Sequence, residues 1–280
     1  MPKAPPRFSR PEAGPALLPD DLLPQLIRRQ PVLLCLDYDG TLSEIAPEPS
    51  LARPVNGVLA ELRALAQCRD RVMVAIVTGR ALDDLRSLLA APPGIALAGV
   101  HGLELLDWNG RSAPSPRVDE CRPDLERVRA WIASEVPAGA GFVVEDKGIA
   151  LALHYRGVGE PAARRVREAF ERFIRDCTGS LKLRPGKMVI EAIPRFATKA
   201  AAVRMLRERA GPTFAPVYFG DDLTDEDAFA EIGQAGISVL VGEPRASAAR
   251  YRVDGPADVV RALESIAAIL RDGTAEGPRN

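Results

Sequence analysis

Histidine is nearly absent from this 280-residue chain, which holds only His101 and His154. Cysteine is sparse and scattered. Cys35, Cys68, Cys121 and Cys177 form no C-x-x-C pair, which removes the usual zinc and dithiol readings, and Cys35, inside the apolar run VLLCLD, reads as a small core residue. With a net charge of −1 there is no global electrostatic case for nucleic acid or anionic membrane. No apolar run reaches the roughly 20 residues that cross a bilayer. The Leu-rich stretch near the start is broken by Asp20, Asp21 and Pro24, so it lacks the apolar core of a secretory signal, and a cytoplasmic location is the default expectation. Lysine is scarce as well. Of 37 basic residues only Lys3, Lys147, Lys182, Lys187 and Lys199 are lysine, so arginine carries general surface duty and each lysine merits attention.

What is present suits a globular protein. Hydrophobic residues make up 46 % and charged residues 27 %, enough to build a core and an ordinary surface. The length allows one large domain or two modest ones. Residues 1–24 are rich in Pro, Ala and Arg without a clear period and read as a loose arm or short capping segment. From Pro31 onward the pattern changes. PVLLCLD (31–37), RVMVAIVTG (71–79), GIALAGVHG (94–102), APVYFGDD (215–222) and GISVLVGE (236–243) are runs apolar on both faces, as in a buried parallel sheet. Amphipathic helices are expected at 54–67, 82–89, 200–209 and 258–270. This alternation predicts an α/β fold, a doubly wound parallel sheet.

The middle third differs. FVVEDK (142–147), IALALHYR (149–156) and KLRPGKMVIEAI (182–193) read as strands joined by turns, with helices at 123–134 and 161–177. The expected division is a core from 25–105 and 195–280, with an α+β domain inserted at 106–194. No internal repeat is evident.

Ligands of doubly wound sheets bind beyond the carboxyl ends of the strands. The first such end reads Asp37-Tyr38-Asp39-Gly40-Thr41. Residues two apart in extended chain face one side, so Asp37 and Asp39 can address one site. Two carboxylates that close repel unless a cation or proton intervenes, and oxygen-rich sites of this kind suit Mg²⁺. Alone, the run is equally an Asp-Gly turn leaving a strand. Thr78-Gly79-Arg80 ends the second strand, either as an anion cradle at a helix start or as a plain N-cap. Lys199 stands at a helix start, where a cation opposes the dipole. In a Lys-poor chain that placement points to an anion alongside; a solvated lysine with a small penalty is the alternative. GDDLTDEDAF (220–229) follows the strand PVYF. Asp225, Glu226 and Asp227 suit a helix start, whereas Asp221 and Asp222 precede it, where a metal would lie.

Taken together and in this order, D-x-D-G-T, a strand-ending Thr, a Lys and G-D-D with further acids resemble the haloacid dehalogenase superfamily of phosphotransferases. The resemblance covers roughly 31–105 and 195–270, and the insert lies where that superfamily places its larger cap. VTGR (77–80), GVHGLE (99–104), LHYR (153–156), GKMVIE (186–191) and GDDLTDEDAF narrow it to the trehalose-6-phosphate phosphatases. Two departures are visible: Tyr38 where Phe is frequent, and Ile193 where a basic residue often precedes Pro194.

The resemblance implies a Mg²⁺-dependent phosphoric monoester hydrolase working through an aspartyl-phosphate on Asp37. Asp39 would be the general acid and base, and Thr78 and Lys199 would bind the phosphoryl oxygens. The metal would be held by Asp37, the Asp39 backbone and Asp221, with Asp222 or Asp225 completing the shell. The expected sugar contacts are Arg80, His101, Gly102, Glu104, Lys147, His154, Arg156, Lys187 and Glu191. Glu191 and Lys187, four apart on one expected strand, share a face and are favoured. His154 and Arg156 also share a face, with core support and ligand contact weighted equally. His101 and Glu104 either reach the sugar or brace their loop. The implied partner is a small sugar phosphate, with neither nucleic acid nor membrane, and a monomer is the default. Sucrose 6-phosphate, a mannosyl phosphate or a hexose phosphate are the alternative substrates. A non-catalytic sensor would not need Asp37, Asp39, Lys199 and Asp221 together.

Overall fold

The computed structural model describes residues 14–112, 115–186 and 188–275. The chain divides into two compact units, Met1–Ala113 with Thr198–Asn280, and Pro114–Ala197. The expected insert began at 106, but Glu104–Leu106 pairs antiparallel with Ala96–Gly99 and so stays with the first sheet.

Among the described residues the first unit holds eight strands: β1 (Ala16–Leu17), β2 (Val32–Leu36), β3 (Val72–Val77), β4 (Ala96–Gly99), β5 (Glu104–Leu106), β10 (Ala215–Gly220), β11 (Ile237–Val241) and β12 (Tyr251–Val253). The second unit supplies β6 (Val143–Asp146), β7 (Leu151–His154), β8 (Leu181–Gly186) and β9 (Val189–Pro194). In the first sheet the order is β1-β12-β11-β10-β2-β3-β4-β5, parallel except for the β4–β5 pair. This is the expected doubly wound α/β fold.

The packing follows from the alternation of side chains along each strand. Val32, Leu34 and Leu36 of β2 enter one core cluster, while Leu33 and Cys35 enter another on the opposite face. Helices α1 (Leu22–Arg29), α2 (Val58–Ala66), α3 (Leu82–Leu88) and α8 (Pro256–Ala275) feed the first cluster. Helices α6 (Lys199–Ala210) and α7 (Glu226–Ile232) feed the second. In α2 the buried Val58, Leu62, Leu65 and Ala66 recur at helical spacing, giving one apolar stripe.

Part of the stretch expected as a loose arm is built into the fold. Residues 1–13 lie outside the described residues, but Ala16–Leu17 pairs with Tyr251–Arg252 as the sheet's edge strand. Helix α1 then buries Leu23 and Ile27. The Asp and Pro residues that broke the apolar pattern there occupy the approach and first turn of this short helix.

In the second unit β6, β7, β9 and β8 form an all-antiparallel sheet in that order. Helices α4 (Arg122–Glu135) and α5 (Glu160–Cys177) cover one face of it. Trp131 of α4 stacks on Phe170 and Phe173 of α5, with ring centroids 5.1 and 5.5 Å apart. The run 182–193, read as an extended stretch in which Lys187 and Glu191 share a face, is a hairpin. Its turn carries Met188 at a left-handed φ of 62°. Lys187 lies outside the described residues, and β9 begins only at Val189.

Candidate active site

Three carboxylates meet at the carboxyl ends of two adjacent strands. Asp37 follows β2, and its backbone N–H donates to Phe219 O of β10 at 2.9 Å. Asp221 follows β10, and Asp225 closes the 3₁₀ turn after it. Oxygen atoms of Asp37, Asp221 and Asp225 lie within 4.8 Å of one another. A glycine makes this approach possible: a Cβ on Gly40, which has φ +74°, would stand 2.0 Å from Asp221 Oδ2.

Lys199 enters the cluster from α6. Thr198 caps that helix by accepting from Ala201 N at 3.0 Å. The placement of Lys199 at the head of the helix, unfavourable for a cation, is explained by its partners. It is almost fully buried, and its Nζ lies 2.8 Å from Asp37 Oδ1 and 2.7 Å from Asp225 Oδ1. Burial works against its charge, but the two carboxylates outweigh it and hold the ammonium protonated. Asp225 is fully engaged, since Oδ1 also accepts from Tyr218 O–H at 2.7 Å and Oδ2 from Asp222 N at 2.9 Å.

One lysine cannot balance three carboxylates, of which Asp37 and Asp225 are buried and Asp221 is half-buried. Burial and the Asp225 charge push the Asp37 carboxyl well above the usual range against the pull of Lys199. Burial, with Asp225 again adding to it, raises Asp221 to about 6. Asp221 Oδ1 is buried without a hydrogen-bond partner. An orphaned oxygen and an excess of negative charge in an all-oxygen donor set fit a hard divalent cation.

The other expected residues are distributed unevenly. Asp222 does not join the three acids: it is exposed, and its Oδ1 caps the turn by accepting from Leu223 N. Asp39 and Arg80 are joined to each other. Arg80 donates through Nε and Nη2 to both oxygens of Asp39, at 2.7 Å each, and through Nη1 to Asp84 at 2.7 Å. Thr78 is buried, and its Oγ1 accepts from Arg80 N at 3.2 Å.

Val100 and His101 adopt left-handed backbone (φ 44° and 54°), with their N–H groups donating to Arg80 O and Thr78 O at 2.8 and 3.0 Å. Gly102 is required there, because a Cβ would meet Ala202 Cβ at 2.8 Å. Glu104 braces the loop: its Oε2 accepts from Leu82 N, at the start of α3, at 2.7 Å.

In the second unit, on the face away from α4 and α5, Glu191 is buried between two cations. Lys147 Nζ lies 2.9 Å from Oε1, and Arg184 Nε donates to Oε2 at 2.8 Å. Burial would raise this carboxyl, yet Arg184 and Lys147 together hold it below its usual range. His154 Nε2 lies 3.0 Å from Glu145 Oε2. Arg156 does not share a strand face with His154, because β7 ends at His154 and Arg156 sits exposed in the following turn.

Two residues here were not singled out by the sequence. Arg184 stands directly across from Glu191 in the β8–β9 register, a pairing visible only once the turn is located. Tyr218 left a faint signal, a hydroxyl in an otherwise apolar strand just ahead of Gly-Asp-Asp.

The profile of the Trehalose-phosphatase family matches residues 35–257, which include all of these groups. The chain belongs to the trehalose-phosphatase family. A trehalose-phosphate phosphatase of Mycobacterium tuberculosis is 34 % identical over 261 residues, covering 88 % of this chain and 64 % of that protein. An uncharacterized glycosyl hydrolase of the same organism is 34 % identical over 278 residues, covering 93 % of this chain and 20 % of that protein. The chain therefore spans less than two thirds of either relative. Among solved structures, the C-terminal domain of the Candida albicans trehalose-6-phosphate phosphatase aligns with a TM-score of 0.69 at 22 % identity, covering 92 % of this chain and 99 % of that one. For a trehalose-phosphatase family member, the fold is the expected haloacid dehalogenase type.

Proposed function

We propose that this chain hydrolyses trehalose 6-phosphate to trehalose and phosphate through a phosphorylated Asp37. The observation that carries the reading is Lys199, which bridges Asp37 and Asp225 beside an unpartnered Asp221 oxygen. Family membership and the name of the mycobacterial trehalose-phosphate phosphatase support the substrate.

Asp37 attacks phosphorus in line, forming a bond to one carboxylate oxygen as the sugar oxygen departs. Lys199 keeps Asp37 oriented and offsets charge as the phosphoryl group arrives. Asp39 gives the leaving oxygen its proton, then takes one from the water that cleaves the aspartyl-phosphate. To do so its carboxylate must turn from the Arg80 fork toward the substrate. Thr78 and Arg80 hold the phosphoryl oxygens, and the left-handed turn at His101–Gly102 keeps the adjoining loop close. Asp37 and Asp221 are the side chains that would hold Mg²⁺, with Asp225, engaged by Lys199 and Tyr218, adding its charge beside them. Bound there, the cation would neutralise the carboxylates and the phosphate charge. In the inserted unit we assign sugar recognition to the polar sheet face carrying Lys147, His154, Arg184 and Glu191.

Phosphate release from trehalose 6-phosphate, sucrose 6-phosphate and glucose 6-phosphate tests the reading. The trehalose ester should lead in kcat/KM by up to ~10⁴-fold, because buried polar groups left unpaired by an analogue are costly. Equal rates across the panel would sink the substrate assignment. EDTA should abolish turnover and Mg²⁺ restore it. Asp37→Asn should lower kcat by several orders of magnitude, and near-wild-type turnover in that variant would overturn the nucleophile.

A further inference from the structure

The acidic turn after β10 is held from behind by a residue outside the chemistry. Arg245 lies in the loop between β11 and β12 and donates through Nη2 to the backbone carbonyls of Asp221 and Asp222, at 3.2 and 3.1 Å. Its Nη1 forms an ion pair with Glu226 Oε1. Glu226, the first residue of α7, ties the same loop at two further points. It accepts from Ser247 Oγ at 2.8 Å and from Ala248 N at 2.7 Å. Ser247 Oγ in turn accepts from Ala249 N at 3.0 Å. Arg245 and Glu226 retain side-chain exposures of 29 % and 24 %, so this is a partly buried lock rather than a loose surface pair.

A planar guanidinium is suited to this task. It carries five donors in a fixed fork and can satisfy a carboxylate and two carbonyls at once, which an ammonium on a flexible stem cannot do with the same geometry. The consequence falls on Asp221. Its backbone carbonyl is gripped by Arg245, while its carboxylate, with one oxygen unpartnered, sits among Asp37 and Asp225. Holding the carbonyl fixes the peptide plane that aims the carboxylate.

We propose that Arg245, locked by Glu226, is a positioning residue that sets Mg²⁺ affinity by fixing the Asp221 backbone. The proposal rests on the metal reading of the Asp37, Asp221 and Asp225 cluster. Residues that orient metal ligands cost about 10–100-fold in metal affinity when removed. Arg245→Met keeps the stem and removes the fork. Arg245→Lys keeps stem and charge but not the geometry.

The experiment is calorimetric titration of Mg²⁺ alone into wild type and both variants after EDTA stripping, with Tm measured in EDTA as the fold control. Wild type should bind one Mg²⁺. Both variants should bind it about 10–100-fold more weakly, with Tm in EDTA within a few degrees of wild type, and the Mg²⁺ activation constant for hydrolysis should rise by the same factor. If wild type binds no Mg²⁺, the metal reading itself falls. If wild type binds and either folded variant matches its Kd, the Arg245 role is overturned. If neither variant folds, Arg245 serves the fold, and the positioning role is likewise overturned.

Discussion

The phenolic oxygen of Tyr218 lies 2.7 Å from Oδ1 of Asp225, the same oxygen that receives Lys199 Nζ at 2.7 Å. A strand residue whose side chain lies in the apolar core thus fixes the carboxylate that fixes the lysine beside Asp37. Tyr218→Phe keeps the ring in its cluster and removes one hydrogen bond to a buried charge. The expected loss is about 1.5–3 kcal/mol of stability by urea unfolding, with a fall in kcat/KM. Unchanged stability and turnover would show that Lys199 and Asp222 N suffice to hold Asp225.

Gly40 and Asp221 make a second testable pair. Gly40→Ala forces a side chain into left-handed backbone, at about 1–2 kcal/mol, and drives its Cβ against the Asp221 carboxylate. Activity should fall much further than Tm. A variant that loses Tm while keeping full turnover would mean that Asp221 can move without consequence.

In the metal-free protein Asp221 should contribute an inverted acid response. Asp221 is raised to about 6 in the fold from a usual carboxylate value near ~3.9. The folded state therefore binds its proton more tightly than the unfolded chain. That contribution to stability is full below about pH 4 and is lost as pH rises through about 6. In EDTA, wild type should lose stability over this window relative to Asp221→Asn. Mg²⁺ should remove the difference, because a bound cation favours the ionised form. Parallel pH curves for the two proteins in EDTA would contradict the raised carboxyl.

Glu191, by contrast, is held below its usual range by Arg184 and Lys147 despite burial. Its contribution is present above the unfolded carboxyl value near ~4.3 and is lost as pH falls through the lower folded value. Glu191→Gln should flatten that acid limb. Glu191→Ala should cost about 2–4 kcal/mol in kcat/KM for the disaccharide phosphate, as for lost charged hydrogen bonds. Hydrolysis of p-nitrophenyl phosphate, which has no sugar, should stay within a few-fold of wild type. Equal loss on both substrates in a folded protein would remove Glu191 from sugar recognition.

Much of this was legible in one dimension, for local reasons. A parallel strand buried on both faces must be apolar throughout, and its chemistry must gather at its carboxyl end. The runs ending at Asp37, Thr78 and Asp221 therefore declared both the sheet and the rim of the site. Lys199 was marked by its scarcity and its poor fit to the helix dipole. The turn at Met188 is harder to see, because Lys-Met is not a turn-forming pair, and without that turn the partnership of Glu191 with Arg184 across the hairpin stays hidden.

The remaining decisions belong to tertiary structure. Asp39 turns to Arg80, 41 residues away, and Asp222 turns to its own helix cap, because each finds hydrogen-bond donors closer than the acidic cluster offers. Arg184 meets Glu191 through strand register, and Arg245 reaches back 24 residues to Asp221 through the parallel order of β10 and β11. The residue types and the order of the strand ends are properties of the sequence. Which carboxylate receives which cation is set by backbone separation in three dimensions, since ion pairs and hydrogen bonds fall off within a few ångströms and chain spacing does not encode that distance.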